Sequence, residues 1–80
     1  MNTAEDIIHK LTSGERIRLI LICSSDDSFR LRKQFVMDVL VGRIGWKIEG
    51  WDIMHYCMLI TVAGNKLIAQ FSALYYSHQP

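Results

Sequence analysis

The sequence lacks the residues from which a small protein builds a covalent or metal-based framework. Its 80 residues include only two cysteines, Cys23 and Cys57, and they do not form a CxxC pair. Two cysteines are too few for a disulfide framework, and no spaced set of His and Cys residues matches a zinc site. We therefore expect two free, buried thiols in a reducing compartment and no bound metal.

Motifs of catalysis and cofactor binding are also missing. The glycines are too dispersed for a phosphate-binding loop, and neither a GxGxxG nor a Walker pattern occurs. His55 and Cys57 could combine a base with a nucleophile, but an ordinary histidine beside a buried cysteine explains the same two residues. We predict that the protein is not an enzyme and needs no cofactor.

The chain has no large excess of charge of either sign. Nine basic and eight acidic residues give a formal net charge of +1, whereas a protein that makes many phosphate contacts is usually far more basic. The first residues, MNTAEDIIHKL, lack the basic segment of a signal peptide. We find no run of about 18 apolar residues of the kind that spans a membrane. These absences predict a cytoplasmic protein without a membrane partner.

Residues 1–80 are expected to form a single small domain, since single domains begin at about 50 residues. A capping-box-like pattern of Thr3 and Asp6 predicts the start of a first helix, which Gly14 ends. The apolar run Arg16–Cys23 predicts a strand that is covered on both faces.

The next segments predict a second helix and a second strand. The helix runs from about Asp27 to Arg43 and is apolar nearly all round beyond its first turns. The segment Trp46–Trp51 alternates in polarity as a strand does.

The last third of the chain predicts an antiparallel β-hairpin from Ile53 to Tyr76. Gly64-Asn65 supplies a two-residue turn, and the resulting register pairs apolar residues along one face. The element order α-β-α-β-β then predicts an α+β fold. It is a two-layer sandwich with a small three-stranded mixed sheet, the C-terminal hairpin, and both helices on one face.

Charge is almost absent from the predicted hairpin. Of the seventeen formal charges, only Lys66 lies beyond Asp52, although a sheet face in water normally carries polar residues. We therefore expect a partner, most simply a second copy of the chain, to cover the second hairpin face. The predicted interface consists of Ile53, His55, Leu59, Ile68, Leu74 and Tyr76.

Two hypotheses for function follow. The first is a non-catalytic protein-interaction module that acts as a homodimer. It would be an adaptor, regulator or inhibitor of a larger assembly, as are many small proteins of viral or mobile-element origin. The alternative is a regulatory protein that binds nucleic acid. It would use the basic patch Arg30, Arg32 and Lys33, with Trp46 and Trp51 stacking on bases.

Overall fold

The computed structural model describes residues 3–26, 29–50 and 52–77, and 82% of these residues are helical. None of them lies in a β-strand, so the predicted α+β sandwich with its three-stranded sheet is wrong. The helical elements are α1 (Ala4–Lys10), α2 (Ser13–Cys23), α3 (Phe29–Phe35), a π-helical segment (Val36–Arg43) that continues α3, and α4 (Asp52–Ser77).

The first two helices begin with the same capping motif. The hydroxyl oxygen of Thr3 accepts a hydrogen bond from the Asp6 amide at 3.2 Å, and the Asp6 carboxylate accepts one from the Thr3 amide at 3.0 Å. Thr12 and Glu15 repeat this arrangement at the start of α2, at 3.2 and 2.8 Å. The predicted start of α1 is therefore confirmed.

The predicted strand Arg16–Cys23 is wrong because the Thr12 capping box starts a helix just before it. The box satisfies amide groups that a helix start leaves without partners. Gly14, which we expected to end the first helix, lies in the first turn of α2. The first helix ends earlier, at Lys10.

The predicted second helix agrees with the structure from Phe29 onward, while its expected start at Asp27 lies outside the described residues. After Phe35 the helix widens, and the Ile44 amide donates to the Val39 carbonyl at 2.8 Å, a π-type bond. The predicted strand Trp46–Trp51 is wrong, because residues 46–49 form no regular element; Trp51 itself lies outside the described residues.

The predicted hairpin is also wrong, because Asp52–Ser77 forms one helix of 26 residues. Gly64 is in the middle of this helix, where α2 crosses it. A Cβ atom at Gly64 would lie 2.2 Å from Sγ of Cys23 and 3.4 Å from Cγ of Leu19. The glycine thus allows two helices to approach closely and makes no turn.

Helix α4 forms the centre of the bundle. Its buried side packs against α1, α2 and α3, and the fully buried side chains include Ile7, Leu19, Phe35 and Ile60. Lys66 bonds to Glu5 of α1 at 2.6 Å. The result is a small, elongated helical globule of 50 × 25 × 18 Å.

Candidate functional site

The predicted interface residues do not share one surface. In a strand their even spacing would place them on one face, but a helix turns 100° per residue and distributes them around α4. Ile53, Leu59 and Ile68 are half-buried, whereas His55, Leu74 and Tyr76 are exposed. The predicted second hairpin face does not exist, because there is no hairpin.

The predicted basic patch is divided between two sides of α3. Arg30 and Lys33 are exposed, but Arg32 is half-buried and lies about 200° around the helix from Arg30. Trp46 stacks on Tyr56 with ring centroids 5.9 Å apart and is half-buried, and Trp51 lies outside the described residues. The described residues therefore do not combine these cations and Trp46 into one base-stacking surface.

An apolar surface is present elsewhere, along the C-terminal half of α4 and the outer side of α2. We call it the α2/α4 face; its side chains are 55–66% exposed. It consists of Ile17, Leu21, Phe71, Leu74 and Tyr75.

The α4 part of this face continues the buried stripe of the same helix. Phe71 and Leu74 follow the buried Leu67 at helical spacing. They therefore lie on the same side of α4 as the residues that are buried in its N-terminal half. No residue from Ile68 to Ser77 is buried, because α4 extends beyond the elements that cover its first part. This stripe was recognisable in the sequence only with a helical period.

The α2 part of the face carries no charge. The residues Ser13, Gly14, Ile17, Leu21 and Ser24 occupy the exposed side of α2, where a solvated helix normally presents charged side chains. Between this side and α4 is a groove of about 280 Å³, lined by Ile17, Ile20, Leu21 and Phe71. The α2/α4 face is therefore both apolar and concave.

A second, smaller groove lies between α3 and the N-terminal half of α4, and we call it the α3/α4 groove. It holds about 130 Å³ and is lined by Phe29, Arg32, Met54, Cys57, Met58 and Thr61.

Arg32 lies close to both thiols of the protein. Burial raises the pKa of Cys23, and hydrogen bonding to Arg32 and its positive charge oppose that rise. Burial also raises the pKa of Cys57, against the charges of Arg32 and Lys33. His55 and Cys57 lie on different sides of α4, so they do not form a base and nucleophile directed at one substrate.

Metal binding finds no support in the described part of the chain. Within residues 3–26, 29–50 and 52–77, no cluster of three or more His, Cys, Asp or Glu side chains could hold a metal ion.

By length and composition alone, α4 could cross a membrane, with a mean hydropathy of 1.4 over its most apolar window. Core helices of soluble proteins pass the same test. One helix of this kind is weak evidence, so the expected absence of a membrane partner stays a prediction. In this structure the helix packs against α1 and α2 through its buried stripe.

No protein family, curated protein or solved structure matches this chain.

Proposed function

We propose that this protein is a non-catalytic protein-interaction module that acts as a homodimer, joined through the α2/α4 face. The observation that supports the proposal is the uncharged, apolar surface formed by Ile17, Leu21, Phe71, Leu74 and Tyr75. The thiols Cys23 and Cys57 are free, and we propose that the protein works in the reducing environment of the cytoplasm.

The size of the α2/α4 face suits a stable interface. With about 200 Å² for a large side chain in full contact with water, the five residues expose roughly 600 Å². This value is at the upper end of the patches that monomers expose. A standard interface buries about 800 Å² on each partner, so the face with its rim reaches that size.

The shape of the face favours a second copy as its occupant. The end of α4, residues 73–77, is exposed and carries Leu74 and Tyr75, while the groove beside Ile17 and Leu21 is concave. A two-fold axis would place the α4 end of each copy on the groove of the other, which gives a self-complementary contact. Lys66, the one charge between Ile53 and Ser77, already pairs with Glu5, so two copies would meet without repulsion between charges of α4.

The test is the oligomeric state of a charged variant. Sedimentation equilibrium should show a dimer for the wild-type chain, while Leu74→Glu should weaken the dimer by at least about thirtyfold, since a buried interface anchor contributes about 2 kcal/mol or more. Ala69→Glu is the matched control, because Ala69 is exposed on the opposite side of α4. Circular dichroism should show the same helix content for all three proteins.

Two results would contradict the proposal. One is a wild-type chain that remains monomeric at about 100 μM, well above the concentrations at which specific homodimers assemble. The other is an equal loss of dimer in Leu74→Glu and Ala69→Glu. Binding of the wild-type chain to neutral phosphatidylcholine vesicles, lost in Leu74→Glu, would instead assign the face to a lipid surface and overturn the dimer.

A further inference from the structure

We propose that the α3/α4 groove binds an acidic, amphipathic peptide segment of a partner protein, with a partner carboxylate on Arg32 and an apolar partner side chain between Phe29 and Met58. This site is separate from the α2/α4 face. The inference goes beyond the homodimer and does not depend on it.

The groove exposes apolar side chains where α3 meets α4. Phe29, Met54 and Met58 are 50%, 52% and 66% exposed. Methionine side chains are flexible and polarizable, and they are common on surfaces that accept apolar segments of partner proteins. A volume of about 130 Å³ corresponds to about four waters, or roughly one large apolar side chain.

Within the part of the chain that the structure describes, Arg32 has no carboxylate partner. Among the described residues the ion pairs are Arg18–Asp38, Arg43–Glu15 and Lys66–Glu5, and none of them uses Arg32. The buried Nε of Arg32 donates to no acceptor in the structure. This Nε is closed to a ligand, and a hydrogen bond to Cys23 uses a further part of the guanidinium. The side chain as a whole is only half-buried, so a partner carboxylate would accept from its outer N–H groups in a paired geometry.

The surrounding charges favour an acidic occupant. Helix α3 carries Arg30, Arg32 and Lys33 and no acidic residue. Asp52, the acidic residue at the start of α4, lies on the side of that helix away from Met54 and Met58. The Thr61 hydroxyl donates its hydrogen bond to the Cys57 carbonyl at 2.8 Å. Its proton is therefore not available to the ligand carboxylate.

A peptide is favoured over nucleic acid because the groove is small, about 130 Å³, and its lining contains one aromatic residue, Phe29. Nucleic-acid sites of the single-stranded kind need flat aromatic platforms along a basic groove. Here the ring of Trp46 is stacked on Tyr56, and the net charge of the chain is only +1.

The test uses a fluorescein-labelled helical peptide of about twelve residues, with Leu at every third or fourth position and Asp beside each Leu. The matched peptide has Asn in place of every Asp. Fluorescence anisotropy should show saturable binding of the acidic peptide to the wild-type chain and binding at least about tenfold weaker for the Asn peptide.

Variants of the chain locate the binding site. Arg32→Gln should weaken binding of the acidic peptide by at least about tenfold. Arg30→Gln, on the opposite side of α3, should leave the dissociation constant of this peptide within about twofold of the wild-type value. Met58→Gln is the second probe, because Met58 is exposed and its loss does not threaten the fold; it should weaken both peptides by a similar factor. All variants should keep the wild-type sedimentation behaviour, so failure of this site is distinguishable from failure of the dimer.

Three outcomes would overturn the inference. Equal affinity for the Asp and Asn peptides would remove the role of the carboxylate. Equal losses in Arg30→Gln and Arg32→Gln would indicate general attraction to a basic helix. The groove would be assigned to nucleic acid if a labelled single-stranded oligonucleotide bound more tightly than the peptide and if Arg32→Gln abolished that binding.

Discussion

Replacing Gly64 by alanine tests how α2 and α4 cross. In a free helix this change is favourable, because alanine exceeds glycine in helix propensity by about 1 kcal/mol. In this structure the new methyl group would lie 2.2 Å from Sγ and 3.0 Å from Cβ of Cys23. Both distances are too short for nonbonded atoms, so α2 and α4 must separate or Cys23 must change its rotamer.

The expected result is a net destabilisation. Forcing extra atoms into a packed core costs about 1–3 kcal/mol. In the upper part of that range this cost exceeds the gain of about 1 kcal/mol that alanine brings in helix propensity. We therefore expect Gly64→Ala to lower the free energy of unfolding by about 1–2 kcal/mol. For a domain of this size the midpoint of thermal unfolding would fall by roughly 10 °C.

Gly14→Ala is the matched control. Gly14 lies in the first turn of α2, and a Cβ atom there would meet nothing within 4 Å. The substitution should stabilise the protein by a few tenths of a kcal/mol to about 1 kcal/mol. All measurements belong in the Leu74→Glu background at one protein concentration, so that self-association does not add to the stability.

Coupling to Cys23 supplies the decisive measurement. In a Cys23→Ala background the Sγ atom is gone, and the cost of Gly64→Ala should fall by about 1 kcal/mol, well above the usual error of additivity. Thermal and urea unfolding followed by circular dichroism measure all four corners of this cycle. The proposed helix crossing would be refuted by a stabilising Gly64→Ala, or by a cost independent of Cys23, as expected for a glycine in a turn.

Two further predictions concern titrating groups. The hydrogen bond from Arg43 lowers the pKa of Glu15 below its ordinary value of 4.5. The stability that this ion pair contributes is therefore present above about pH 4.5 and is lost as the pH falls through the folded-state pKa of Glu15. The unfolding midpoint of Glu15→Gln should therefore change less than that of the wild type from about pH 5 to about pH 3; parallel curves would contradict this. Since burial raises the pKa of Cys23 and Cys57, both thiols should react slowly with a disulfide reagent in the folded protein and rapidly in urea. Rapid reaction of the folded chain would argue against their burial.

The candidate surfaces were only partly predictable. The absence of charge from the last third of the chain drew attention to the segment that forms α4, where seven of the eleven exposed large apolar residues lie. An interface there stays a prediction. Which of these residues share a surface depends on the secondary structure. A strand, with a period of two residues, places Leu74 beside Tyr76, whereas a helix, with a period of 3.6 residues, places Leu74 beside Phe71. Ile17 and Leu21 could not be assigned to this surface before α2 was known to cross α4.

Local chemistry by itself determined the start of α1, because the Thr3 and Asp6 side chains satisfy the first amides of the helix without help from distant residues. The capping box of Thr12 and Glu15 carried the same information, but the apolar run after it also satisfies the pattern of a buried strand. Short apolar runs do not distinguish a buried strand from a buried helix by periodicity.

Only the tertiary structure decided between a hairpin and a helix for residues 52–77. Seventeen of these 26 residues are apolar, so periods of 2 and of 3.6 both find an apolar face. A helix satisfies its backbone hydrogen bonds within itself, whereas a lone hairpin needs further strands or a covering layer. Burial of Ile60 and Leu67 under α1 and α2 then stabilises the helix, and Gly64 gains its role from Cys23, a residue 41 positions away in the chain.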